Sequence, residues 1–169
     1  MTNEIETEFL VESNAIERVY DDDSLSQAIL AWEFLKLQDK LSIGVILKTH
    51  KILMLNQNLK PDEKGYFRKR PVYIGYKEMM KPSQIEDAIK QWILNVNDAI
   101  RNGKNESEIW KERICKEHHI QFEKCHPVID ANGRLGRIIM NWERLKLGLP
   151  ILVIHEGKEQ YEYYQWFHE

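Results

Sequence analysis

Apolar residues recur along this chain at close to helical spacing, in stretches separated by polar or glycine and proline punctuation. Near the N-terminus Ile5, Phe9, Ile16 and Val19 draw one stripe, widened by Leu10 and Val11. The acidic run Asp21, Asp22 and Asp23 predicts a loop. Ser24 and Gln27 have the spacing of a capping box, and Ala28, Ala31, Trp32 and Leu35 follow on one face. Residues 42–57 repeat the signal through Ile46, His50, Leu53 and Met54, ending near Asn56 and Asn58, with Pro61 and Gly65 beyond. Pro82 suits the first position of a long helix that runs through Ile85, Ile89, Trp92, Ile93 and Val96 to Gly103. Residues 106–124 predict another, with Ile109, Ile114 and Phe122 facing the core. Leu135, Ile138, Ile139, Trp142 and Leu145 mark one more, and EQYEYYQWF near the C-terminus reads as a packing helix.

One segment breaks the period. Between Tyr66 and Tyr76 aromatic and β-branched residues alternate around Pro71, which predicts an edge hairpin or flap over 65–76. The expected fold class is therefore all-α with a small β-hairpin flap. At 169 residues, 43% of them hydrophobic, residues 1–169 are read as a single domain.

Charge narrows the partners. Charged residues make up 30% of the chain and nearly cancel, leaving a net charge of −3, so no broad basic field points to nucleic acid or an anionic membrane. Any anion site must be local. The acidic N-terminus lacks a basic and then apolar leader, no apolar run reaches spanning length, and the expected location is cytoplasmic. Cys115 and Cys125 sit ten residues apart in a helical stretch, too far along its axis for a disulfide.

The chemistry gathers in HPVIDANGRLGR, residues 126–137, between two predicted helices. A loop containing Asn132 and Gly133 that opens onto a helix presents unpaired N–H groups and the positive end of a helix dipole to an anion. Arg134 and Arg137, three residues apart in the first turns, can lean over the same loop, and their forked donors suit a polyphosphate. Asp130 is a hard oxygen ligand of the kind Mg²⁺ takes when substrate phosphates carry most of its shell. His126 is the usual type of side chain for removing a proton from a hydroxyl. A lone histidine or an isolated R-x-x-R would read as structural; here the neighbours decide otherwise. Cys125 and His126 are adjacent and do not face one another, and the spacing of His118, His119, Cys125 and His126 fits no zinc pattern.

These residues resemble the signature HPFx[DE]GN[GK]RxxR of the Fic family. His126, Pro127, Asp130, Asn132, Gly133, Arg134 and Arg137 match it in order, while Val128 stands for the usual Phe and Ala131 for the usual Gly. The resemblance implies that His126 is a general base, that Asp130 holds Mg²⁺, that Asn132, Gly133 and Arg134 cradle phosphates, and that Arg137 meets the γ-phosphate. Gly133, where kinases of the superfamily carry Lys, implies adenylyl transfer from ATP to a Ser, Thr or Tyr hydroxyl of a target protein. GYFRKRPVYIG is similar to the family's flap, so that Val72, Tyr73 and Ile74 would dock an extended stretch of the target. Ser13 to Glu17 resemble the family's inhibitory helix motif [ST]xxxE[GN], with Arg18 in the place of Gly or Asn, so residues 1–20 would restrain the site through Ser13 and Glu17. Removal of AMP on the same scaffold, and an idle nucleotide-gated binding module, are the alternatives carried, and a homo-oligomer is left open.

Overall fold

The computed structural model describes residues 1–168, and its element order is seven helices with one hairpin among those residues. Asn3 opens α1 (Glu4–Ile16) with a capping box, accepting the Glu6 N–H while the Glu6 carboxylate takes its own N–H, both at 3.0 Å. Phe9, Leu10 and Ile16 turn inward, whereas Ile5 and Val11 are exposed. The helix stops before Val19 because Arg18 swings to φ 58, and the Arg18 and Val19 N–H groups bond back to Ala15 and Asn14 in a Schellman turn.

The start of α2 (Asp22–Lys36) corrects the sequence reading. Asp21 is the cap, accepting the Ser24 N–H at 2.8 Å, so the acidic run is the first turn of the helix and not a loop. Ser24 instead accepts the side-chain amide of Gln57, 33 residues on, at 2.9 Å. Ser42 caps α3 (Ile43–Leu53), which ends a turn earlier than expected; Ile46, His50, Leu53 and Met54 are buried as the pattern required.

A single 3-10 turn, Pro61–Glu63, leads into residues 64–72, which form no strand. The hairpin lies further on, β1 (Tyr73–Ile74) against β2 (Lys77–Glu78), with Gly75 at φ 61 opening its two-residue turn. The expected flap was therefore set too early. Phe67 packs on the core and Arg68 is buried against the motif loop, so these two residues anchor the hairpin and cannot belong to its edge.

Pro82 is at the start of α4 (Pro82–Asn102), with Ile85, Ile89, Trp92, Ile93 and Val96 all buried and Gly103 closing it. Ser107 caps α5 (Glu108–Cys125). Ile109 is 82% exposed, against expectation, because Trp110 is the residue packed onto the Gly103 turn and a neighbour one position earlier points about 100° away. The second half of the motif opens α6 (Asn132–Lys146), and α7 (Lys158–Gln165) follows. Among the described residues no helix is long and apolar enough to cross a membrane.

The architecture is built around α6, which touches α1, α2, α3, α4 and α5. Leu135, Ile138, Ile139 and Trp142 fill the core as predicted; Leu145 is the part of that stripe left at the surface. Each large side chain so buried contributes roughly 1.5–3 kcal/mol. A helix enclosed on so many sides also buries polar residues, and those beyond its first turns are paired. Asn141 exchanges two bonds with the Leu152 main chain, Glu143 meets His118 Nδ1 at 2.6 Å, and Arg144 pairs with Glu112 and the Pro150 carbonyl. These contacts fix the rotation of α6, and with it the direction in which its first turn faces.

Candidate active site

The site begins where α5 ends. His126 is the C-cap of that helix, left-handed at φ 50, with its N–H still bonded to Phe122. This backbone turn lifts the imidazole off the helix and starts the loop. Val128, fully buried, anchors the loop in the core, and the Asn132 side chain closes it by taking the Val128 N–H at 3.0 Å and donating to the Val128 carbonyl at 2.8 Å. Asn132 thus braces the loop with its side chain, leaving its main chain for an anion.

Ala131, at φ 67, caps α6 without a side-chain hydrogen bond, so the first N–H groups of that helix stay open. Asp130 lies on the exposed rim, one carboxylate oxygen accepting the Ala131 N–H at 2.7 Å. Its carbonyl meets His50 Nε2 at 3.1 Å, while His50 Nδ1 accepts the Gly65 N–H at 3.0 Å. Since Nδ1 accepts, Nε2 carries the proton, and burial holds this imidazole neutral with its pKa pushed down to about 4. His50 was read as core packing; it also wires α3, the start of the flap segment and the motif loop together. The only sequence signal for that was a histidine on an apolar face.

The two motif arginines share the buried side of the first turns of α6, and they differ in state. Arg134 is 4% exposed, yet its Nε and Nη1 are buried without partners, and Nη2 reaches only the Met54 sulfur at 3.8 Å. Arg137 is engaged on all sides. Nε donates to the Ser13 hydroxyl at 2.9 Å, Nη2 to the Ser13 carbonyl at 2.8 Å and to Glu17 Oε1 at 2.9 Å, and Nη1 to the Tyr163 hydroxyl at 3.2 Å. Four of its five N–H donors are thereby taken. Burial opposes its charge, but Tyr163 and Glu17 outweigh that and raise its pKa.

Glu17, the residue that ends α1, lies directly over the opening of α6. A Cβ at Gly133 would collide with its Oε1 and stand 2.9 Å from Arg137 Nη1. Glycine at that position is what lets the carboxylate settle on the helix end. Ser13 and Glu17, one turn apart, thus do meet Arg137 from the same face of α1. Tyr163, from the C-terminal packing helix, was not foreseen. It stacks beside Arg137 at 5.6 Å and also takes a bond from or to His119 at 2.8 Å.

His126 has its pKa lowered, chiefly by burial and also by Arg68, with the Glu123 main chain, Glu17 and Asp130 acting in the opposite sense. The neutral form needed to accept a proton is thus favoured. Val72 is half-buried, and Tyr73 and Ile74 are 60% and 54% exposed on β1 of the two-stranded hairpin, an apolar edge open to pairing. A half-buried base, open N–H groups, an arginine with orphaned donors and a rim carboxylate together suit transfer chemistry on a phosphate ester.

Comparison with known proteins follows the same residues. The chain is 27% identical over 135 residues to protein adenylyltransferase fic-1 of Caenorhabditis elegans, covering 79% of this chain and 25% of that protein. To protein adenylyltransferase Fic of Drosophila persimilis it is 24% identical over 169 residues, covering 96% and 30%. The chain therefore spans less than a third of the length of either relative. Among solved structures, Fic-1 from C. elegans superimposes with a TM-score of 0.80 at 21% identity, over 99% of this chain and 56% of the other. A Fic domain containing signaling protein from Bacteroides thetaiotaomicron gives 0.79 at 17% identity, over 96% and 70%. The Fic/DOC family profile matches residues 40–143, and the chain belongs to that family.

Proposed function

We propose that this chain is a protein adenylyltransferase, moving AMP from ATP to a hydroxyl of a target protein, and that its own first helix restrains it. The observation that carries the reading is Arg134, a buried cation with two donor nitrogens unpartnered beside the open end of α6. Such donors are costly to bury unless an anion completes them, and a nucleotide's phosphates do so. The family relatives named as adenylyltransferases supply the reaction type.

In this mechanism the target hydroxyl attacks the α-phosphorus in line with the bond to the β-phosphate. As the new P–O bond forms, that bond breaks and pyrophosphate departs. His126, kept neutral by burial, takes the hydroxyl proton. The α6 N–H groups and Arg134 stabilise the charge on the transferring phosphate. Tyr73 and Ile74 add a strand of the target to the hairpin edge, which brings its hydroxyl toward His126. For Mg²⁺ the fit is that of a single ligand. Asp130 keeps one carboxylate oxygen free, and among the described residues no cluster of three His, Cys, Asp or Glu side chains stands ready for a metal. Asp130 would therefore hold an ion carried mainly by the nucleotide, where it would neutralise charge on the departing pyrophosphate.

Restraint follows from Arg137. With its donors held by Ser13, Glu17 and Tyr163, it has little left for a γ-phosphate, and Glu17 covers the helix end where phosphate oxygens would bind. The test is incubation of the chain, Glu17→Gly and Glu17→Gly/His126→Ala with ATP and Mg²⁺ in cell extract, read by mass spectrometry. A gain of AMP on protein, largest in Glu17→Gly and absent in the double variant, supports the proposal. Loss of AMP from already modified proteins would assign hydrolytic removal of AMP by water on the same site, and neither gain nor loss would leave a binding module.

A further inference from the structure

Arg68 is a buried cation that the proposed chemistry does not use. It is 4% exposed and forms no ion pair among the described residues. Burial lowers its pKa, and Cys125 and then Glu78 on β2, neither of them in an ion pair with it, favour its charge. A guanidinium in such a place is tolerated only when its donors are met, and here main-chain carbonyls meet them. Nε donates to the His126 carbonyl at 2.7 Å, Nη1 to the Arg70 carbonyl at 3.1 Å, and Nη2 to the carbonyls of Met80 and, at 3.5 Å, Cys125. Its own N–H bonds to the Pro127 carbonyl at 3.0 Å.

Those carbonyls belong to three separate pieces of chain. Arg70 lies where the chain enters the hairpin and Met80 where it leaves, while Cys125, His126 and Pro127 are the end of α5 and the start of the motif loop. The Cys125 and His126 carbonyls are also the negative end of the α5 dipole, the natural place for a cation. One planar fork thus closes the base of the hairpin and fastens it to the peptide that carries the proposed base. That peptide needs fastening, because a non-glycine residue at φ 50 is strained by roughly 1–2 kcal/mol.

We infer that Arg68 is a positioning residue: it sets the His126 backbone and couples the hairpin to it, so that a target strand seated on the hairpin edge is held in register with the imidazole. This rests on the adenylyltransferase reading above. Lysine at 68 keeps the charge but offers one ammonium in place of a rigid fork, and cannot span all three pieces.

The experiment places Arg68→Lys and Arg68→Ala in the Glu17→Gly background, with Glu17→Gly alone as the reference. Helix content by circular dichroism, transfer kinetics, and amide hydrogen exchange across residues 72–79 are measured on each. Arg68→Lys is expected to retain helix content, to lose at least about tenfold in kcat with the KM for ATP changed by less than about threefold, and to exchange faster across 72–79. Unchanged kcat with unchanged exchange would overturn the inference. So would a rise in KM that accounts for the loss, which would make Arg68 a nucleotide ligand. If both variants lose helix content, Arg68 is a folding residue only and the positioning role is refuted. An inactive reference with faster hairpin exchange in Arg68→Lys would refute the adenylyltransferase reading while upholding the tie between hairpin and loop.

Discussion

Replacing Glu17 by glycine removes one carboxylate and leaves most of the Arg137 cage standing. Ser13 still accepts two bonds and Tyr163 a third, and Glu17 itself is 39% exposed while Arg137 is 3% exposed. The fold should lose little, since glycine is well tolerated at a helix C-terminus. The effect on the site is larger. A charge-assisted hydrogen bond of this kind contributes about 1.5–3 kcal/mol, and the half-exposed, screened carboxylate places it at the lower end. About 1.5 kcal/mol displaces the restrained state by roughly tenfold. The steric term adds to this, because the carboxylate stands against Gly133 where phosphate oxygens would approach the helix. Initial rates of AMP incorporation at saturating ATP, with melting temperatures to confirm folding, should show a gain of about tenfold or more in Glu17→Gly. Arg137→Ala should not reproduce it, since the nucleotide needs the same arginine. A folded Glu17→Gly variant with less than a twofold gain would refute the argument and leave α1 as ordinary packing.

Ser13→Ala, which removes one acceptor from Arg137 but leaves the ion pair, should raise transfer by a smaller factor than Glu17→Gly in the same assay. His126→Ala in the activated background should abolish transfer with ATP affinity by isothermal titration nearly unchanged, because a base acts on the transition state. Transfer should fall on acidification with a midpoint below the ordinary histidine value of 6.5, since burial lowers the His126 pKa. Stability should fall in the same direction. His50 and His119 are held neutral at about 4 and about 3 and His126 is lowered by burial, so the unfolded chain binds more protons from pH 6.5 downward, while Glu123, raised to about 7 by burial, and Glu143, also raised by burial, oppose two of the three. Melting temperatures from pH 6.5 to 4.5 should therefore decline. Arg18→Gly and Ala131→Gly should each raise the melting temperature, and Arg18→Gly should also lower resting transfer by holding Glu17 more firmly.

Much of the architecture was legible because the core-facing positions of α2, α3, α4 and α6 keep a clean helical period, and a period survives whatever the helices pack against. The starts and ends were less so. At α2 two sets of capping residues compete, and Asp21 prevails over Ser24 because it leaves Asp22 and Asp23 in the first turn, where the dipole favours acids. The hairpin was displaced for a different reason. Alternation from Tyr66 onward looks like a strand, but Phe67 and Arg68 answer to tertiary contacts with the core and the motif loop, which a local pattern does not contain. His50, Arg68 and Tyr163 escaped as functional neighbours on the same ground, since each joins the site by contacts 26 to 80 residues away in sequence.

Two of the three departures from the family pattern, Arg18 and Ala131, share one physical cause. Each occupies a left-handed backbone position, φ 58 and φ 67, where the family's Gly or Asn would sit without strain. The chain itself supplies the comparison for Arg18. At the end of α6 the N–H of Gly148 bonds to Leu145 and that of Leu149 to Arg144, the same Schellman pattern that Arg18 and Val19 make with Ala15 and Asn14. There the left-handed place is filled by Gly148, at φ 80. An L-residue in that conformation costs roughly 1–2 kcal/mol, and glycine gives back about 0.5–1 through its freedom when unfolded, so each substitution to glycine should stabilise by about 0.5–1 kcal/mol. Arg18 therefore does not argue against the restraint motif, because the position selects a backbone conformation and its side chain is not what holds Arg137. The strain nonetheless sits one residue from Glu17, in the turn that presents the carboxylate. A helix end that is slightly costly to form opens more readily, and the grip of Glu17 on Arg137 is correspondingly easier to release when nucleotide and target arrive together.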